Sequence, residues 1–202
     1  MPGLALGLWA AFGALTLVGR ALLQLRRTGS TGIAGPSGRL GSIEWTGGVL
    51  FLLALALGVV AGLLDLWDVV DPIAALNTTP VHVVGIVLFA LGLGGTVAAQ
   101  LAMGRSWRVG VDERERTELV TGGPFELVRN PIYAAMIPAV AGLALLVPSV
   151  VALLGLALLV VALEIQVRLV EEPYLLRAHG DAYAAYARRV GRFVPGLGRL
   201  RS

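Results

Sequence analysis

Apolar residues in this chain come in runs too long for the core helix of a soluble domain. A helix crossing a hydrocarbon layer about 30 Å thick needs about 20 such residues. Five segments approach that length: 4–25, 47–64, 81–103, 132–147 and 149–167. The second holds an unbroken apolar run from Val49 to Leu57. Arg20 interrupts the first near one end, where its long stem can carry the charge to the headgroups. No Lys or Arg precedes Arg20, so this segment lacks the positive start of a signal peptide and reads as a permanent span. Pro148 and Ser149 leave room only for a tight turn between the last two segments. They form a helical hairpin, with Pro148 ending one arm or starting the other.

Charged residues alternate between the connecting loops. Arg26, Arg27 and Arg39 follow the first segment, whereas the next loop carries Asp65, Asp68 and Asp71 and no arginine. Arg105, Arg108, Arg114, Arg116 and Arg129 follow the third, the hairpin tip is uncharged, and the tail is rich in arginine. By the positive-inside rule this predicts five spans, N-terminus outside and C-terminus in the cytoplasm. Composition agrees: 56% of residues are hydrophobic and 14% charged, against about 25% charged in soluble domains. The expected fold is all-α, a polytopic integral membrane protein of about five transmembrane helices with a C-terminal hairpin and an amphipathic cytoplasmic tail. Residues 1–100 form a three-helix scaffold, and 101–202 hold nearly all the polar chemistry. The Gly/Ser/Thr-rich stretch 28–38 reads as a flexible loop.

Several chemistries are excluded. There is no cysteine, hence no disulfide, thiolate nucleophile or cysteine metal site. His82 and His179 are far apart, so no histidine metal cluster is expected. All 16 basic residues are arginine, which removes Schiff-base and P-loop chemistry. No basic stripe alternates with aromatics, so nucleic acid is not an expected partner.

The candidate chemistry lies beside the last two spans. Thr121-Gly122-Gly123-Pro124-Phe125 permits tight turns and close approach of backbone to a ligand. Pro131 suits the first turn of the fourth helix, with Asn130 as its N-cap. That helix start, beside Arg129, offers free N–H groups to an anion. On the fifth helix, Glu164, Arg168 and Glu171 or Glu172 fall at helical spacing on one face. Charge inside the membrane half of a helix is costly and faces a cavity or a partner; a Glu–Arg–Glu ladder explains the spacing but not why charge enters the membrane half of the helix. Gly180 divides the tail into two short helices. In the second, Tyr183 and Tyr186 are placed for a membrane interface.

The stretch from Leu119 to Tyr133, with Gly123-Pro124-Phe125 and Val128-Arg129-Asn130-Pro131-Ile132-Tyr133, resembles the GPY-x-x-VRHP-x-Y signature of the isoprenylcysteine carboxyl methyltransferase family. Glu171-Glu172-Pro173-Tyr174-Leu175, His179-Gly180 with Tyr183 and Tyr186, and Arg192-Phe193-Val194-Pro195 look like that family's later block. The resemblance covers about residues 100–195, and related membrane phospholipid methyltransferases share it. Asn130 stands where the family usually has His; an amide can still donate a hydrogen bond.

The resemblance implies an S-adenosyl-L-methionine-dependent methyltransferase without a Rossmann domain. Glu171 and Glu172 would take the cofactor's ammonium or ribose hydroxyls. Arg129, Asn130 and Pro131 at the helix start would face its carboxylate. Gly123 and Pro124 would shape the adenosyl pocket, Tyr133 would wall it, and Tyr183 belongs to the same block. Glu164 and Arg168 would orient a lipophilic or lipidated acceptor entering from the bilayer. The acceptor class stays open among a prenylated protein terminus, a phospholipid amine, a quinone and a small thiol. Membrane steroid reductases, which bind NADPH, have a similar C-terminal layout, and a non-catalytic membrane protein is the third reading. The lysine-free, Ala-, Gly-, Leu- and Arg-rich composition points to a GC-rich bacterium and its inner (plasma) membrane.

Overall fold

A computed structural model of the chain describes residues 1–33, 39–109 and 118–200. Residues 34–38 of the Gly/Ser/Thr-rich stretch, and Arg114 and Arg116 of the loop after the third segment, therefore lie outside the described residues. Four helices are long and apolar enough to cross a membrane: α1 (Pro2–Thr28), α2 (Ile43–Leu66), α3 (Thr79–Ala102) and α6 (Val150–Arg189). A single turn, α4 (Pro124–Leu127), precedes the shorter apolar helix α5 (Pro131–Leu146). At 16 residues, α5 spans roughly 24 Å. No β-strand occurs among the described residues, only isolated bridges between Ile33 and Val109 and between Val128 and Gly191. The expected all-helical, polytopic architecture is what the structure shows, with four helices of spanning length and a fifth, shorter apolar helix where a fifth span was expected.

Helices in lipid gain little from hiding apolar surface, so small residues that let backbones approach matter most. The α3–α5 contact is such a seam. A Cβ on Gly92 would sit 2.7 Å from Ala135 O, and one on Gly85 would sit 2.8 Å from Gly142 O. The α2–α6 contact repeats the device, with a Cβ on Gly155 only 3.2 Å from Leu57 Cβ. Phe12 and Trp9 of α1 meet Phe89 of α3 and Leu143, Leu146, Leu159 and Leu163 of α5 and α6 in the central core.

The two ends of the bundle differ. At one end the α5–α6 hairpin turns through Pro148 and Ser149; Ser149 Oγ accepts from Ala152 N–H (3.2 Å), and Ile73 N–H reaches Pro148 O (2.7 Å). The other end gathers the arginine-bearing segments. There α6 continues past the apolar stretch through a wide turn, Gln166–Glu171, before its polar part. Such π-type turns insert an extra residue and often mark functional sites. Gly180 then breaks α6 (φ 52°, ψ −128°), a left-handed geometry that favours glycine.

Candidate functional site

The approach to α5 explains how the site is built. Gly123 takes φ 61°, which a residue with a side chain rarely adopts. This reversal starts α4 at Pro124, where the missing N–H costs nothing. Val128 is extended and bridges to Gly191 of the tail, after which Arg129 N–H donates to Gly191 O (2.8 Å) and Asn130 N–H to Arg192 O (3.1 Å). Pro131 then opens α5. Asn130 occupies the cap position, but its side chain makes no cap hydrogen bond; Nδ2 donates to Arg192 O at 3.2 Å. The expected capping role is thus replaced by a tie to the C-terminal strap, residues 191–200.

Arg129 is buried, at 5% exposure. Its Nη1 donates to Ala187 O (2.9 Å) and Val190 O (2.5 Å), and its Nη2 donates to Glu172 Oε1 (2.6 Å) and Gly198 O (3.0 Å). Glu172 is gripped from its other side by Arg192, with Nε on Oε1 and Nη2 on Oε2, both at 2.8 Å. Hydrogen bonding to Glu172 holds the Arg192 guanidinium above its ordinary pKa. One carboxylate therefore joins two guanidinium groups, and the five-donor fork of arginine is nearly saturated. Arg129 and Glu172, expected at a cofactor, are engaged with each other and with the strap.

Glu171 has different surroundings. Its Oε1 accepts from Tyr133 O–H (2.7 Å) and Gln166 Nε2 (3.4 Å). Among the described residues no arginine forms an ion pair with it. The wide turn Gln166–Glu171 is the cause of the separation. It interrupts the regular helical spacing between Glu164 and the two adjacent glutamates. Glu164 and Arg168 pair with one another across one turn, their side chains 37% and 56% exposed. Glu164 is half-buried and Arg168 exposed.

Tyr183 and Tyr186 correct the interfacial reading of the tail. They are 2% and 4% exposed and meet edge to face with centroids 6.1 Å apart. Leu119, Leu175 and Leu176 pack against them, and Tyr186 O–H donates to Phe125 O at 2.6 Å. The tail helix thus turns its tyrosines inward onto the Gly123–Leu127 region. Tyr183 comes close enough to Arg129 and Glu172 to feel both charges. The structure gathers Gly123, Pro124, Arg129, Asn130, Pro131, Tyr133, Glu171, Glu172 and Tyr183 at one end of α5 and α6. Arg192 and Gln166 complete the arrangement without having been singled out from sequence. Arg192 was visible only as part of the Arg192-to-Pro195 motif, and Gln166 gave no signal.

Residues 80–182 match the family model for phospholipid methyltransferase. The chain belongs to that family. The match takes in α3, α5, both glutamates and Tyr133, and it stops short of the strap that supplies Arg192. Two curated relatives are similar. The nickel-cobalt-cadmium resistance protein NccN of Alcaligenes xylosoxydans xylosoxydans is 32% identical over 116 residues, 57% of this chain and 53% of the relative. The cobalt-zinc-cadmium resistance protein CzcN of Cupriavidus metallidurans is 32% identical over 115 residues, 56% of this chain and 52% of the relative. The matched part spans about half the length of these relatives. Among the described residues, no three His, Cys, Asp or Glu side chains are grouped to hold a metal ion. This family member is thus a polytopic membrane protein of methyltransferase type.

Proposed function

We propose that the chain is a membrane-embedded, S-adenosyl-L-methionine-dependent methyltransferase acting on a lipophilic acceptor, similar in kind to isoprenylcysteine carboxyl methyltransferases. The observation that carries this is Glu171. It is a carboxylate inside the family-matched region, oriented by Tyr133 and, among the described residues, in no arginine ion pair. A carboxylate in that state suits a cationic or hydroxyl-bearing ligand. The donor set therefore fits the ammonium and ribose of the cofactor, which supplies an electrophilic methyl group on a sulfonium.

The chain's own residues would then bind and position. Glu171 holds the cofactor's ammonium or ribose, and Tyr133 fixes the carboxylate's orientation. Gly123 and Pro124 shape the adenosyl side, where the reversed backbone keeps bulk away. Arg129 and Glu172 serve at one remove: they hold the strap, and with it Asn130 and the start of α5, in place. Methyl transfer demands the acceptor atom in line behind the methyl carbon, so such positioning supplies much of the rate. Glu164 and Arg168, paired with one another, would meet the polar end of an acceptor arriving through the bilayer. The arginine-rich end would lie in the cytoplasm of a bacterial inner membrane, with the N-terminus outside. The metals in the relatives' names belong to those proteins.

Calorimetric titration of the purified protein in lipid nanodiscs tests the reading. S-adenosylhomocysteine is expected to bind saturably and NADPH is not. Binding of NADPH alone would move the chain to a reductase reading, and binding of neither would remove the enzyme reading.

A further inference from the structure

Arg20 and Gln24 lie in α1, outside the family-matched segment, and nothing in the proposed chemistry uses them. Both are buried, at 3% and 4% exposure. Arg20 Nη2 donates to Gly104 O (2.5 Å), Nη1 to Gln24 Oε1 (3.0 Å) and Nε to Gln100 O (3.4 Å). Gln24 Nε2 donates to Arg105 O (2.7 Å). In return, Gln100 Nε2 donates to Thr16 O at 2.9 Å, inside the wide turn Ala14–Gly19 of α1. The Arg20 guanidinium also lies over the Trp107 ring, 4.6 Å from its centroid. Among the described residues no carboxylate pairs with Arg20.

The last carbonyls of a helix have no intrahelical donors and carry the negative end of its dipole. A buried cation that answers backbone carbonyls instead of a carboxylate is therefore a C-terminal cap, supplied to α3 by another helix. Its effect passes along a short chain of contacts. The cap fixes the turn Gly104–Ser106 and Trp107; the next residue, Arg108, donates to Tyr174 O–H at 3.1 Å and lies over that ring. Tyr174 sits on α6 just beyond Glu171 and Glu172.

We infer that Arg20, with Gln24, is a positioning residue: it locks the 104–108 segment against α6 and so sets the geometry in which Glu171 meets the cofactor. This rests on the methyltransferase reading. It makes α1 part of the machinery of the site.

The absence of cysteine allows a clean test. A single reporter, Ser106→Cys, is labelled with a maleimide in the full-length protein in nanodiscs, and S-adenosylhomocysteine affinity is titrated in parallel. Arg20→Met should raise the labelling rate and weaken affinity, each by about tenfold, the size expected for a lost charged hydrogen bond. Arg20→Lys keeps a cation for the carbonyls and should recover most of both effects. In an Arg108→Met background the affinity effect of Arg20→Met should vanish, because both act along one path. If Arg20→Met fails to fold, Gln24→Leu reads the same cap with a smaller change. Unchanged labelling, unchanged affinity, or an undiminished effect in the Arg108→Met background would each overturn the inference. Failure of the methyltransferase reading shows earlier and separately, as absence of binding by the unaltered protein.

Discussion

Glu171 and Glu172 are adjacent on α6, yet Glu172 is bound by two arginines whereas Glu171, among the described residues, forms no arginine ion pair. Glu172 joins Arg129 to Arg192 and so ties α5, α6 and the strap together. Glu171 is held by a tyrosine and an amide, partners that orient a carboxylate without neutralising it. The difference teaches how one motif divides its labour. On the proposed reading, the carboxylate between two arginines maintains the frame and its neighbour recognises the ligand. The wide turn preceding them is what aims two neighbouring side chains at different surroundings.

The comparison breaks most easily at the saturated carboxylate. Glu172→Gln leaves Arg129 buried beside a neutral partner, and removing one partner of a buried pair costs about 3 kcal/mol or more. Thermal unfolding in nanodiscs should show a large drop in midpoint; an unchanged midpoint would mean the strap is held by something else. Next comes Glu171→Gln. It should weaken S-adenosylhomocysteine binding by about thirtyfold, as a charge-assisted contact does, at an unaltered midpoint. Tyr133→Phe should act in the same direction by about fivefold, since one neutral donor is lost and the charge remains. The smallest effect belongs to Arg168→Gln, which removes a half-exposed pair contributing under about 1 kcal/mol to stability. Its expected signature is a raised KM for a lipophilic acceptor with cofactor affinity unmoved.

Much of the fold was legible because apolar length dictates span length. Predicted 47–64 and 81–103 became Ile43–Leu66 and Thr79–Ala102, and the Pro148-Ser149 turn and the Gly180 break stand where their chemistry requires. The site was legible as a list of residues and not as an arrangement. Helical spacing assumes a regular helix, and the wide turn at Gln166–Glu171 interrupts that spacing. Gly47 of α2 packs against that turn, a Cβ there lying 3.4 Å from Gln166 Oε1; such a contact is tertiary and leaves no mark on periodicity. Tyr183 and Tyr186 fit an interfacial helix on pattern alone. They are buried because the tail folds back onto the Phe125 region, a long-range event that local sequence does not encode.

The most direct measurement compares the two adjacent glutamates in one calorimetric and thermal experiment on purified protein in nanodiscs. Glu171→Gln should lose affinity for S-adenosylhomocysteine while melting like the unaltered chain, and Glu172→Gln should melt earlier. Equal affinity in Glu171→Gln and the unaltered protein would contradict the assignment of Glu171 to the cofactor.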